Sequence, residues 1–228
     1  MDAIRTKIGT LTIGQAPRSD IAPLINAILP EGVVCRHAGV LDGLSDEQIA
    51  GQFAPKPNEG LLTSKLLDGR AVVMGKSAVR AALEKKIAML EADGCSIIVL
   101  LCTGEFDGLK TRKARLIEPD HVIPPVVEAL AGPCTLGVMV PLAEQAQSEA
   151  QKWFGTKMKL VFSSASPYTA KEEEVKKAAV ALSEQGADFV VLDCMGYRLQ
   201  HKAWCREVIE QPVVASTDLM VNLLRAML

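Results

Sequence analysis

Two stretches of the chain run in step. Gly94-Cys-Ser-Ile-Ile-Val-Leu-Leu-Cys102-Thr-Gly104 and Gly186-Ala-Asp-Phe-Val-Val-Leu-Asp-Cys194-Met-Gly196 keep a constant offset of 92 residues, from 94 to 186, from 102 to 194 and from 104 to 196. Each reads as the glycine that stops a helix, a buried apolar strand, a cysteine, and a turn with a second glycine. The repeat predicts a duplicated chain in which equivalent strands of two similar lobes each carry a cysteine.

The surrounding pattern agrees with that reading, because short β-branched apolar runs alternate with longer amphipathic segments, the signature of βα units building a parallel sheet. Strands are expected at Lys7 to Ile13, Val33 to His37, Ala71 to Met74, Ser96 to Leu101, Thr135 to Val140, Met158 to Ser163, Phe189 to Asp193 and Val213 to Ser216. Helices are expected at Ala78 to Asp93, Ala143 to Phe154, Lys171 to Gln185 and Thr217 to Leu228. The fold class is α/β: two pseudo-symmetric lobes, each with a mostly parallel sheet flanked by helices. One lobe comprises 1–118 with 212–228 returning to it, and the other 119–211. Glu118-Pro119-Asp120 and Ile123-Pro124-Pro125 supply turn and breaker signals between them. An extended loop, Gln52 to Glu59 with Pro55 and Pro57, is placed to lie over a cleft.

Composition narrows the partners. With 228 residues, 49% of them hydrophobic, the chain can bury a substantial core. Its 25 basic and 27 acidic residues give a net charge of −2, with no basic stripe to track a phosphate backbone, so nucleic acid is not an expected partner. The N-terminus, Met1-Asp2-Ala3-Ile4-Arg5-Thr6-Lys7, has no secretory pattern, and no apolar run approaches the roughly 18 to 20 residues of a membrane span. The expectation is a cytoplasmic protein; self-association into a homo-oligomer is left open. Six cysteines without a Cys-x-x-Cys pair fit reduced thiols rather than a disulfide framework.

Ligands of open α/β sheets bind beyond the carboxyl ends of the strands, where Cys102 and Cys194 stand. A lone strand cysteine is usually a small buried apolar residue, but the paired placement favours function. A thiol with a pKa of roughly 8.5 can serve as base or acid with little tuning, and helix N-terminal amides after each strand would favour the thiolate. Were the lobes to face each other across a cleft, one thiol would remove a proton from a bound carbon and the other deliver one from the opposite side. That exchange inverts the carbon's configuration without a cofactor.

Other residues are weighed around that pair. Leu11-Thr-Ile-Gly-Gln-Ala-Pro-Arg18-Ser19-Asp20 follows the first strand, and Gly14 and Gln15 lead toward a helix capped near Ser19 or Asp20 whose amides can hold an anion. Arg18 either clamps a substrate carboxylate or pairs with Asp20. Thr103, with Gly104, flanks the first thiol as a substrate contact or a cap, and Met195 and Gly196 flank the second. Asp193, aimed away from Cys194 by strand alternation, reads as structural. His201 and Cys205, four apart, lack the further ligands of a metal site, so no metal is expected. Nor is a dinucleotide, because no G-x-G-x-x-G follows a strand.

Leu11-Thr-Ile-Gly-Gln-Ala-Pro-Arg18, Leu41-Asp-Gly-Leu44, Leu100-Leu-Cys-Thr-Gly-Glu-Phe106, Val140-Pro-Leu-Ala-Glu-Gln145 and Leu192-Asp-Cys-Met-Gly-Tyr197 together resemble the AroM protein family over nearly the whole chain. That family is similar in plan to the aspartate/glutamate racemase superfamily, which includes amino-acid and hydantoin racemases, maleate isomerases and arylmalonate decarboxylases. The resemblance implies two pseudo-symmetric lobes with the site between them, and carries the superfamily's cysteine positions onto Cys102 and Cys194. The neighbours differ from the amino-acid racemase pattern. Thr-Gly follows Cys102 in place of Asn-Thr, Met-Gly follows Cys194 in place of Thr, and Gly14-Gln15 stands where Asp-Ser is usual. Free aspartate or glutamate is therefore not the expected substrate.

The leading expectation is a cofactor-independent racemase or epimerase acting on a small carboxylate-bearing carbon acid. A single-cysteine decarboxylase is the nearest alternative, and a non-catalytic regulatory protein that binds a small anion is the second.

Overall fold

The computed structural model describes residues 6–153 and 155–228. The sequence expectations that fall on Met1 to Arg5 and on Phe154 lie outside the described residues.

Contacts divide the chain into two units. One holds the residues up to Cys102, Phe106–Glu118 and Leu223–Leu228; the other holds Thr103–Glu105 and Pro119–Asn222.

The first unit is built on β1 (Thr6–Thr12), α1 (Ala22–Asn26), β2 (Val33–Gly39), α2 (Asp46–Phe53), β3 (Leu61–Lys65), β4 (Ala71–Gly75), α3 (Lys76–Ala92), β5 (Cys95–Leu100) and β6 (Arg115–Ile117). Strands β2-β1-β5-β6 form a parallel sheet in that order. β3 and β4 form a separate antiparallel pair. Helix α3 lays Val79, Leu83, Ile87 and Leu90, spaced three or four apart, into a cluster with Leu11, Ile98 and Leu100.

The second unit contains α4 (Pro119–Ala131), β7 (Thr135–Val140), α5 (Ala146–Glu149), β8 (Lys159–Ser164), α6 (Glu172–Glu184), β9 (Phe189–Leu192), α7 (Leu199–Arg206), β10 (Val213–Ala215) and the first part of α8 (Ser216–Met227). Its parallel sheet runs β8-β7-β9-β10. Glu172, Glu173 and Glu174 complement the positive end of α6, which buries Val175, Ala179 and Leu182 against the sheet. At Gly137 in β7 an added Cβ would come within 2.9 Å of the Ala187 Cβ, so glycine sets the approach there.

The two sheet orders correspond strand for strand, which makes β5 and β9 the same member of a repeated pattern. The chain is α/β with parallel sheets flanked by helices, as the sequence implied.

Several details differ from the sequence reading. Pro119 to Ala131 is a helix containing Pro124 and Pro125, not a run of breakers. Pro119 costs its start little because the first N–H groups of a helix have no internal partner. The segment after β7 is short α5 between two 3₁₀ turns, Ala143–Gln145 and Ala150–Trp153, in place of one long helix. The expected loop at 52–59 begins later, because Gln52 and Phe53 finish α2, whose Ser45 and Gln48 form a reciprocal capping box. Residues 212–228 do not all return to the first unit. Val213–Ala215 pairs with Val190–Leu192, and α8 crosses the division. Among the described residues no helix is long and apolar enough to cross a membrane.

Candidate active site

The two repeated cysteines occupy matching places: Cys102 and Cys194 each stand two residues past the last residue of their strand, Leu100 in β5 and Leu192 in β9. Both are buried. Cys102 belongs to the apolar cluster of the first unit, with Leu100, Phe106 and Leu109. No helix follows it directly. The expected helix N-terminus is missing after Cys194 as well, since α7 begins only at Leu199. Instead, Cys194-Met195-Gly196-Tyr197 closes as a turn, with the Tyr197 N–H donating to the Cys194 carbonyl at 3.2 Å. The Gly196 N–H reaches the Cys194 Sγ at 3.3 Å.

A residue the sequence reading does not single out completes this turn. The Tyr168 hydroxyl lies 3.8 Å from the Cys194 Sγ. Its ring packs on Gly196 so closely that an added Cβ there would sit 2.7 Å from ring atoms. Gly196 is therefore required by the tyrosine. Nothing in the sequence around Tyr168 marks this role, because the contact joins residues 28 positions apart.

Lys152 is the second such residue. Its side chain is 3% exposed, and its ammonium donates to Glu149 Oε2 at 2.7 Å and to the Thr103 carbonyl at 3.0 Å and is ion-paired with Asp193 Oδ2 at 2.5 Å. Burial opposes the charge on Lys152, but Asp193 and Glu149 outweigh it and hold the ammonium above its ordinary pKa. Burial pushes the Asp193 carboxyl up; Lys152 pulls it down and Glu149 pushes it up again, leaving a net rise. Thr103 is buried, and its hydroxyl donates to the Asp193 carbonyl at 3.3 Å.

The loop after β1 is tied into its own unit. Gly14 packs so tightly that an added Cβ would lie 2.4 Å from the Lys65 carbonyl. The Gln15 amide accepts from Leu67 N–H at 2.8 Å and donates to the Leu41 carbonyl at 3.4 Å. Arg18, 2% exposed, forks onto Asp20, Nε to Oδ1 at 2.8 Å and Nη2 to Oδ2 at 2.6 Å. Of the two readings of Arg18, this geometry displays the pairing with Asp20. The helix cap expected at Ser19 or Asp20 is absent: α1 starts at Ala22 with no side-chain cap.

The other four cysteines read as structural. Burial pushes Cys35 up to about 11 and Cys205 up to about 12, and raises Cys95 and Cys134 as well. All six cysteines are reduced thiols. His201 is buried on α7, edge-on to Tyr197 and Trp204, and its Nδ1 accepts from the Arg198 N–H at 2.9 Å.

This architecture defines the class: the chain has the fold of the aspartate/glutamate racemase superfamily. Glutamate racemase from Bacillus anthracis superposes with a TM-score of 0.66 at 15% identity, over 99% of this chain and 82% of that one. Picrophilus torridus aspartate racemase gives 0.61 at 11% identity, over 97% and 94%. Unliganded arylmalonate decarboxylase gives 0.59 at 12%, over 98% and 92%. The chain itself belongs to the AroM protein family, whose profile matches residues 8–228. No curated protein matches it by sequence.

Proposed function

We propose that this protein is a cofactor-independent isomerase, a racemase or epimerase, that moves a proton on the carbon next to a substrate carboxylate using Cys102 and Cys194. The observation that carries this reading is the equivalence of the two thiols, each two residues beyond the same strand of a repeated sheet order. In the forward direction one thiolate takes the proton and leaves a carbanion delocalised into the carboxylate. The opposite thiol returns a proton to the other face and becomes the thiolate, so the next turnover runs in reverse. The Gly196 amide and the Tyr168 hydroxyl, both within reach of the Cys194 sulfur, favour its thiolate form.

The substrate contacts in this reading are the backbone and side chains beside the thiols, namely Thr103, Gly104, Met195 and Gly196, with Gly14, Gln15 and Arg18 from the loop after β1. Arg18 contributes through its guanidinium edge while Asp20 fixes its direction. A reducing, cytoplasmic setting suits a mechanism that needs both thiols.

A decarboxylase is favoured by one observation, the polar groups around Cys194 against the apolar cluster around Cys102, since loss of carbon dioxide needs only one proton donor. Solvent deuterium uptake into a panel of chiral 2-substituted carboxylic acids tests the proposal. Wild type is expected to exchange the α-hydrogen of a substrate, and Cys102→Ala and Cys194→Ala each to lower that rate about 10²- to 10⁴-fold. An unchanged rate in either variant would contradict the two-thiol mechanism.

A further inference from the structure

We propose that Lys152 is a positioning residue for Cys194, fixing Asp193, the residue before that thiol, and balancing the charge of its carboxylate. The proposal rests on the assignment of Cys194 to the reaction, but its test does not depend on turnover.

The ammonium donates two hydrogen bonds inside the protein, to Glu149 and the Thr103 carbonyl, and pairs its charge with the Asp193 carboxylate. Three separate segments thereby meet at one atom: the loop that begins after Cys102, the turn after β7, and the end of β9. Burying an ammonium is expensive, and a well-packed apolar side chain in its place would often leave stability equal or better. Stability alone gives no reason for this lysine. Its place does, because Asp193 immediately precedes Cys194 and its side chain is fully buried.

A carboxylate next to a thiol disfavours the thiolate, and in a dry setting the effect is large. The other ionisable groups packed around this turn are phenols, thiols, carboxyls and one imidazole. Tyr168 and Tyr197 are on the turn side, and Tyr197 is pushed well above its usual pKa by burial and then by Cys194. Cys205 and His201 come from α7, Glu149 from the segment after β7, and buried Asp120 from α4. Lys152 is a permanent cation held against Asp193 and Glu149. With it in place Asp193 and Glu149 are bridged, and the side chain of the residue before Cys194 is held with its charge paired.

The test is the pH dependence of iodoacetamide alkylation at Cys194 in the full-length protein, read by peptide mass spectrometry, with Cys134 as the internal reference. Asp193→Asn removes the negative charge and is expected to lower the Cys194 midpoint, making alkylation at neutral pH about tenfold faster. Lys152→Met is expected to raise the midpoint and slow alkylation about tenfold. Lys152→Arg keeps the charge and is expected to stay near wild type. A purely structural role would move Asp193→Asn and Lys152→Met in the same direction, or leave the midpoint of both unchanged, and either result overturns the proposal. Should Lys152→Met fail to fold by circular dichroism, Asp193→Asn and Lys152→Arg decide: a midpoint unmoved in the first or displaced in the second refutes it. Failure of the deuterium-exchange assay would refute the isomerase reading while leaving these midpoints to be judged separately.

Discussion

Cys102 leaves β5 into an apolar cluster with Phe106 and Leu109, whereas Cys194 leaves β9 directly after the buried, ion-paired Asp193 and enters a turn that sets an amide and a phenol at its sulfur. The strands are equivalent and the surroundings are not. Duplication explains why a thiol stands at the same place in each sheet, because the strand order and the length of the strand decide where its carboxyl end falls. The neighbours come from loops, and loops diverge with little cost to the sheet. The difference teaches that the two thiols need not titrate alike, even if they act as partners.

Buried charge also differs between the units, and this gives the largest expected stability effect. In the first unit Arg18 and Asp20 form a buried, two-point ion pair, 2% and 5% exposed. Arg18→Ala would leave a buried carboxylate uncompensated, at a cost of about 3–5 kcal/mol, measurable by thermal or urea unfolding. Burial pushes the Asp20 carboxyl up, but Arg18 outweighs it and holds the pKa below its ordinary value. The pair's contribution is therefore present above the unfolded pKa, about 3.9, and lost as pH falls through the lower folded value. Asp20→Asn should flatten that acid limb of stability.

A smaller effect is expected at the Cys194 turn. Gly196→Ala would press a methyl group into the Tyr168 ring, costing roughly 1–3 kcal/mol and displacing the hydroxyl from the sulfur. Cys194 alkylation should slow while Cys102 keeps its rate. Tyr168→Phe is the gentlest probe, since it removes one hydrogen bond of about 0.5–1.5 kcal/mol and so slows Cys194 alkylation at neutral pH by roughly two- to tenfold. Equal slowing at both thiols would break the comparison, because it would mean that Tyr168 acts on the fold and not on Cys194.

The strand pattern and the repeat are legible in the sequence because buried parallel strands write themselves as continuous apolar runs. β6 is not, since three residues, Arg115–Ile117, are too few to show a pattern. Nor is β3, where Leu61-Leu-Thr-Ser-Lys mixes polar residues into a hairpin outside the main sheet. Helix α2 is hidden by its polarity, as only Ile49 and Phe53 are buried. Of the site, the cysteines can be found by position, and the spacing of Arg18 and Asp20 puts one within reach of the other. Tyr168 and Lys152 cannot be found that way, because each acts through contacts with residues 26 to 49 positions away that no local spacing encodes.

The central claim is that two thiols share one reaction. It is tested most directly by comparing Cys102→Ala and Cys194→Ala side by side on one substrate, with isotope uptake and chirality followed together. The account predicts that wild type inverts the carbon with uptake of one solvent deuterium and that each variant loses inversion. Full activity retained when Cys102 is replaced, with loss confined to Cys194→Ala, would contradict it and identify a single-thiol enzyme.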